Sequence, residues 1–367
     1  MANYMKALAK TAPEKGLSLV EVPVPAIGPQ DVLIRVRASS ICGTDVHVYT
    51  WDRWSQSRIR PPVILGHEFS GEVVDVGREV TNAKPGDYVS AEGHIVDGTC
   101  AACRNGQPHL CSNVRVIGID RDGAFAEYVS VPASNIWHNP PDLPPEIASL
   151  QDPFGNAVYT ASAFELTGKR VLITGVGPIG LMAIPVARAM GARQIIVTDV
   201  NEKKLQLAAQ MGADVQINPL EQEVVGAVRD LTEDGADVLL EMSGAPAAIN
   251  SGLAALRPGG EAAILGVPGA PFEIDWANGV VFKGVTIKAI YGRRIWETWY
   301  RMRGLLQSGA VDLTGLITHR FPLDRFEEGF ALMQSRDALV GKVVLYPNDM
   351  AASAGLTETM TATTSAP

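Results

Sequence analysis

Arg170-Val171-Leu172-Ile173-Thr174-Gly175-Val176-Gly177-Pro178-Ile179-Gly180 is the stretch on which the fold turns. Its first five residues form a short apolar run closed by glycine, which reads as a buried strand. Glycines 175, 177 and 180 follow in GxGxxG spacing, and the apolar run Leu181–Met190 reads as a helix that stops at Gly191. A second strand, Gln194–Thr198, ends on Asp199. GxGxxG alone is a weak signal. Strand, glycines, helix, strand and terminal acid in one unit read as a dinucleotide site. Gly175 permits the tight turn, Gly177 lets the backbone approach a pyrophosphate, and Gly180 lets helix and strand pack closely. The helix N-terminus faces the phosphate charge. Asp199 suits a ribose 2′-hydroxyl and repels a 2′-phosphate, which favours NAD over NADP. Lys203 and Lys204 are the contrary hint. Pro185, inside the helix, predicts a bend there.

Downstream, the pattern predicts helices over 202–211, 220–232 and 246–256. Strands fall near 214–217, 237–242, 262–267 and 285–290. Strands alternating with helices give a doubly wound parallel sheet. Ser243-Gly244, Leu265-Gly266-Val267 and Ile290-Tyr291 stand at strand ends, where such a sheet delivers residues to its ligand crevice. A helix over 296–308, a strand over Leu316–His319, a helix over 323–335 and a strand over Val343–Tyr346 read as chain returning to the first domain.

Upstream, residues 17–40 and 69–90 alternate in β fashion between Gly and Pro breaks, as a compact β-barrel would. Two loops between these strands carry Cys42-Gly43-Thr44-Asp45-Val46-His47 and Gly66-His67-Glu68. Cys42, His67 and Glu68 offer a thiolate, an imidazole and a carboxylate, a set that suits zinc. Three protein ligands leave a fourth position exchangeable, as in catalytic sites. Residues 51–62 are a polar, aromatic insertion that could cover a pocket, form a subunit contact or be a solvated loop.

All four cysteines, and four of the six histidines, lie in the first third of the chain. Clustered Cys and His in a reducing compartment indicate metal more than disulfide. Cys100, Cys103 and Cys111 make a second, structural zinc candidate. Asp97 is its fourth ligand, with His94 or His109 competing for that place.

The chain has 367 residues, 46% hydrophobic and 19% charged, with net charge −9, enough for two domains and a sizeable core. The absence of a basic run makes nucleic acid and anionic membrane poor partners. The N-terminus lacks an apolar signal core and no apolar run reaches membrane-spanning length, so a cytoplasmic protein is expected.

Cys42-Gly43-Thr44-Asp45-x-His47, Gly66-His67-Glu68-x-x-Gly71, the cysteine lobe and the glycine fingerprint resemble the zinc-dependent medium-chain alcohol dehydrogenase superfamily, over residues 1 to about 346. The resemblance implies a Rossmann NAD-binding domain over 156–295 and a GroES-like β-barrel catalytic domain over 1–155 with 296–347. From Asn348 the chain is Ala, Ser, Thr and Met with little periodicity, so 348–367 is expected to be a disordered tail. The resemblance implies Cys42, His67 and Glu68 as catalytic zinc ligands, with Asp152 a further carboxylate near the metal. It places a proton relay on Thr44 and His47, and NAD contacts on Ile179, Asp199, Lys204, Leu265–Val267 and Ile290–Tyr291. Its structural lobe usually carries four cysteines, and Asp97 stands where the first would be. Asp152–Val158, Glu241–Pro246 and Trp296–Tyr300 resemble the branch that acts on L-threonine. That implies oxidation of the 3-hydroxyl to 2-amino-3-ketobutyrate, in a homotetramer. A polyol or secondary-alcohol dehydrogenase would share all this chemistry except the pocket. A zinc- and NAD-binding sensor without turnover is the reading from another class, and an open three-ligand set argues against it. Single residues also have plainer readings: Thr44 as a helix cap, His47 as a surface histidine, Asp152 and Asp199 as turn formers.

Overall fold

The computed structural model describes residues 4–335 and 338–348. The expected tail, apart from Asn348, lies outside the described residues.

Six parallel strands form one sheet in the order Val215–Ile217, Gln194–Thr198, Arg170–Thr174, Ala236–Glu241, Leu256–Ile264, Thr286–Ala289. In sequence order this is 3-2-1-4-5-6, the doubly wound arrangement whose crevice opens beside the first strand. The fold class is therefore α/β with a Rossmann sheet. The fingerprint explains itself locally. Gly175 sits at φ +85°, and a Cβ there would stand 2.6 Å from the Ser243 Cβ. A Cβ at Gly180 would stand 2.1 Å from the Gly175 carbonyl oxygen. Pro178 opens the helix Pro178–Ala189, where its missing N–H costs no bond. That helix runs on through Pro185, with the Met190 N–H bonding the Val186 carbonyl at 2.9 Å just beyond it.

The second sheet has seven strands. Its centre is Asp31–Ser40, which pairs with Glu68–Val76, Tyr128–Pro132 and Lys342–Tyr346. Ile317–Pro322 joins outside Lys342–Tyr346, so the C-terminal strands complete the N-terminal sheet. A smaller sheet of Ser18–Pro23, Tyr4–Lys10 and Val63–Ile64 packs beside it. The largest core cluster joins Phe154, Ala157 and Val158 of helix Gln151–Ala161 to Leu181 and Ile184 of the fingerprint helix. That packing sets residue 152 against the start of the nucleotide helix.

Some boundaries differ from the sequence pattern for identifiable reasons. The helix expected from 220 starts at Val224, because Glu223 caps it by accepting the Val225 and Gly226 N–H groups. The strand expected over 262–267 runs Leu256–Ile264, since the Leu265 and Gly266 N–H groups turn back to the Glu241 carbonyl. The helix expected over 323–335 begins as a tight turn, Leu323–Arg325, and becomes α-helical at Phe326–Gln334. The insertion at 51–62 contains a short helix, Arg53–Arg58, started by Asp52 accepting the Ser55 N–H at 2.9 Å.

Candidate active site

Cys42 ends the run out of the central strand and caps the helix Gly43–Thr50. Its N–H donates to Asp45 Oδ2 at 2.9 Å. Gly66 sets His67: it lies at φ +92°, and a Cβ there would stand 2.6 Å from the Phe125 nitrogen. Glu68 starts the strand Glu68–Val76 and is 1% exposed. One ligand atom from each of Cys42, His67 and Glu68 lies within 4.8 Å of the others.

Two of these residues, with Asp45 standing 3.8 Å from His67 Nδ1, carry unmet demand. Among the described residues His67 Nδ1, Glu68 Oε1 and Asp45 Oδ1 are buried without a hydrogen-bond partner. Burial alone would push the His67 pKa down. The charges of Asp45 and Cys42 outweigh it and raise that pKa well above the ordinary histidine value. The pocket is thus a field built for positive charge. Buried polar atoms without partners are costly unless something satisfies them. Zinc, with a sulfur, nitrogen and oxygen set, fits that demand. From behind, Glu68 Oε2 is held by Lys342 Nζ and Ser40 Oγ, and Lys342 also donates to the Ile41 carbonyl at 3.0 Å. Glu68 Oε1 is left facing the other ligands' demand.

These residues line a cavity of about 340 Å³ together with Thr44, Trp54, Arg58, His94, Asp152, Asn156, Ile179, Tyr291 and Arg293. Thr44 Oγ1 stands 3.7 Å from Cys42 Sγ. His47 does not line the cavity. It lies one turn along the same helix, and its Nδ1 meets Asp52 Oδ2 at 2.5 Å in an exposed position. Asp152 lines the cavity but is no free carboxylate: Arg293 Nη2 donates to its Oδ2.

Arg293 was not legible in the sequence. It is fully buried, and grips Glu92 through Nε at 2.7 Å and Nη2 at 2.5 Å as well as Asp152. Trp299 Nε1 donates to Glu92 Oε2 at 2.7 Å, and His94 Nδ1 meets Glu92 Oε1 at 2.8 Å. Burial pushes the Glu92 carboxyl up, but Arg293, His94 and Trp299 together bring it down to about 2. Lys342, a lone cation at the head of the apolar run Val343–Tyr346, is the one missed residue with a local signal. Asn156, whose Oδ1 is buried without a partner, follows Asp152 by one helical turn.

At the nucleotide end, a Cβ on Gly177 would meet nothing within 4 Å, unlike Gly175 and Gly180. That open face at the helix start fits a pyrophosphate. Asp199 accepts the Val176 N–H at 2.9 Å and the Asn201 N–H at 2.9 Å, so it braces the glycine loop at the end of its strand. Asn201 caps the next helix through the Lys204 N–H at 3.1 Å. Ile179 and Tyr291 reach the shared cavity, and Val267 is exposed at its strand end. Ile290 is buried, with its N–H on the Ile264 carbonyl at 2.9 Å. Buried Glu241 shapes the facing turn by accepting the Ser243 and Gly244 N–H groups.

Residues 178–308 match the zinc-binding dehydrogenase family model, and residues 28–141 the alcohol dehydrogenase GroES-like domain. The L-threonine 3-dehydrogenase of Symbiobacterium thermophilum is 53% identical over 95% of this chain and 99% of its own. The chain belongs to the zinc-dependent medium-chain alcohol dehydrogenase superfamily. A second relative of this dehydrogenase, the L-threonine 3-dehydrogenase of Pyrococcus furiosus, is 51% identical over 94% of this chain and 99% of its own. A zinc-binding dehydrogenase from Sinorhizobium meliloti, solved with NADP, superposes with TM-score 0.87 at 31% identity, covering 94% of this chain and all of that one.

The dehydrogenase has a second donor cluster. Ligand atoms of Asp97, Cys100, Cys103 and Cys111 lie within 4.8 Å of one another. Cys100 and Cys111 Sγ are 3.9 Å apart. That is far beyond a disulfide of about 2.05 Å. It is near the roughly 3.8 Å edge of a tetrahedron built on Zn–S bonds of about 2.3 Å. The Asn113 side chain and the Cys100 and Thr99 N–H groups hold the Asp97 carboxyl well below the usual carboxylate range. His94 and His109 stand outside this cluster. His94 is engaged with Glu92, and His109 packs edge-on to Tyr159 at 5.8 Å. Asp97→Ala should weaken zinc binding here by about 100-fold or more, at or above the effect of losing an outer-shell partner. It should also lower the melting temperature, since structural zinc contributes to folding. Metal analysis after dialysis and a melting curve check this; unchanged zinc content and midpoint would remove Asp97 from the ligand set.

Proposed function

We propose that this dehydrogenase oxidises L-threonine at its 3-hydroxyl to 2-amino-3-ketobutyrate, with hydride passing to NAD. The observation that carries the reading is one cavity lined both by Cys42, His67 and Glu68 and by Ile179 and Tyr291. A hydroxyl held at the first set lies beside a nicotinamide held at the second. The substrate follows from the L-threonine 3-dehydrogenases that match along nearly their full length.

Cys42, His67 and Glu68 would hold the catalytic zinc, which supplies a Lewis acid that lowers the pKa of a bound hydroxyl. Thr44 borders Cys42 and would relay the proton, its hydroxyl accepting the one that leaves the substrate as it gives up its own toward His47. His47, three residues on along the same helix face, passes it to solvent with Asp52 at its back. Asp152 and Arg293 form a fixed wall that keeps the carboxylate from drifting into the cavity. Buried hydrogen bonding of this kind holds a reacting geometry to a fraction of an ångström.

Two domains, 1–155 with 296–347 and 156–295, suit this division of labour. Strands Ile317–Pro322 and Lys342–Tyr346, bonded into the N-terminal sheet, support it. A homotetramer is favoured by the edge strand Thr286–Ala289, whose Ile287 and neighbouring Val281 and Phe282 are exposed. Light scattering tests it, with four chains per particle expected. Among the described residues no helix is long and apolar enough to cross a membrane. We place the protein in the cytoplasm, where reduced cysteines keep their metals.

The direct test is NADH formation from L-threonine by zinc-loaded protein. Turnover of a plain diol without turnover of L-threonine would reassign the substrate. NAD preference should rest on Asp199. Asp199→Asn keeps a side chain at the loop but removes the charge that repels a 2′-phosphate. It should shift the NADP-to-NAD ratio of kcat/KM by roughly tenfold or more, the size of one lost charge contact. An unchanged ratio would show that Asp199 braces the loop without reading the ribose.

A further inference from the structure

Two permanently charged cations line the active cavity, Arg58 and Arg293. Arg293 is committed, being fully buried among Glu92, Asp152 and the Asp152 carbonyl. Arg58 is not. Its Nη2 meets Asp120 Oδ2 at 2.5 Å, and its side chain is 41% exposed. A guanidinium carries five N–H donors, and among the described residues Asp120 is its one acceptor. With Asp120 at 17% exposure the pair is still partly open to water, and partly exposed pairs hold weakly and leave room for a second anion.

The proposed substrate carries a carboxylate two carbons from the reacting centre. The other ionisable groups on the wall cannot receive it. Cys42, His67 and Glu68 are the proposed zinc ligands, and Asp152 is an acid already paired with Arg293. His94 is engaged through Nδ1 with Glu92, and an imidazole is not a permanent charge. Arg58 ends the short helix Arg53–Arg58, and Trp54 from the same helix lines the cavity beside it. Nothing in that insertion is needed to hold zinc or nucleotide.

We propose that Arg58 binds the carboxylate of the substrate as a planar fork, so that the 51–62 insertion selects an amino acid over a neutral alcohol. This rests on the L-threonine reading and deepens it. A forked guanidinium–carboxylate pair is directional, and lysine reproduces its charge but not its geometry.

The experiment compares L-threonine with L-threoninamide, which keeps the hydroxyl and the amine and lacks the carboxylate. Arg58→Gln should raise KM for L-threonine by about 10- to 100-fold, the usual size of a lost charge-assisted hydrogen bond. The kcat for L-threonine, the kcat/KM for L-threoninamide and the Kd for NAD should stay within about threefold, and Arg58→Lys should recover part of the loss. An unchanged KM for L-threonine, or an equal loss on both substrates, would overturn the proposal while leaving the L-threonine reading intact. A parent protein inactive on L-threonine but active on a diol would instead overturn the reading, and this assignment with it.

Discussion

Cys42→Ser protein should fold, bind NAD, and reduce it at about one thousandth of the parent rate or less. Losing one of three ligands removes several kcal/mol of metal affinity, and each 1.4 kcal/mol is tenfold. The thiolate is the soft donor of the set, and a serine hydroxyl at neutral pH is neither soft nor ionised. Folding should survive because Cys42 is only half-buried and its structural job is done by its N–H, which donates to Asp45 Oδ2 at 2.9 Å. Serine keeps that N–H. Zinc analysis should find one metal fewer per chain, and circular dichroism an unchanged fold. Near-parent activity in Cys42→Ser protein would remove this thiolate from the site.

Arg293→Met should be the most destabilising single change in the cavity wall. It strands two buried carboxylates, Glu92 at 1% and Asp152 at 8% exposed. Removing one partner of a buried ion pair costs about 3–5 kcal/mol, because the remaining charge is left uncompensated. The pH dependence separates this from a simple packing loss. In the parent, the Glu92 pKa is lowered to about 2, so its stabilising contribution is present above the ordinary carboxylate pKa and is lost as pH falls toward 2. Without Arg293 the largest charge that lowers it is gone, and the Glu92 pKa moves up. The variant therefore lacks part or all of that contribution at neutral pH. The stability gap between parent and variant should narrow as pH falls from the ordinary carboxylate value of 4.5 toward 2. Denaturant melts across that range read it directly. A gap that stays constant would mean that Arg293 acts by shape and not by charge.

The nucleotide half of the fold was readable because its constraints are local. Gly175 and Gly180 are glycines since any Cβ would strike Ser243 or the Gly175 carbonyl. The parallel strands are continuous apolar runs because both faces of the sheet are covered. The clustered donors Cys42, His67 and Glu68 were readable for a similar reason: Cys42 and the Gly66-His67-Glu68 run are short, chemically distinctive words. What lay beyond reading was the support behind them. Glu92 and Arg293 are 201 positions apart, and Glu68 and Lys342 are 274 apart. Neither pair has a spacing that a periodicity could expose. Asp152 illustrates the cost. Its position was found by resemblance, but its engagement with Arg293 exists only in three dimensions. His47 shows the same limit, since the motif placed it but not its surface pairing with Asp52. The helix in the 51–62 insertion was missed because it is six residues long and depends on the Asp52 cap.

The measurement that bears most directly on the account is the return of L-threonine oxidation as zinc is added back to metal-stripped protein. NADH formation should rise in proportion to the zinc that parent protein retains and Cys42→Ser protein does not, and stop rising when that site is full. Metal-stripped protein that already oxidised L-threonine at the full rate would contradict it.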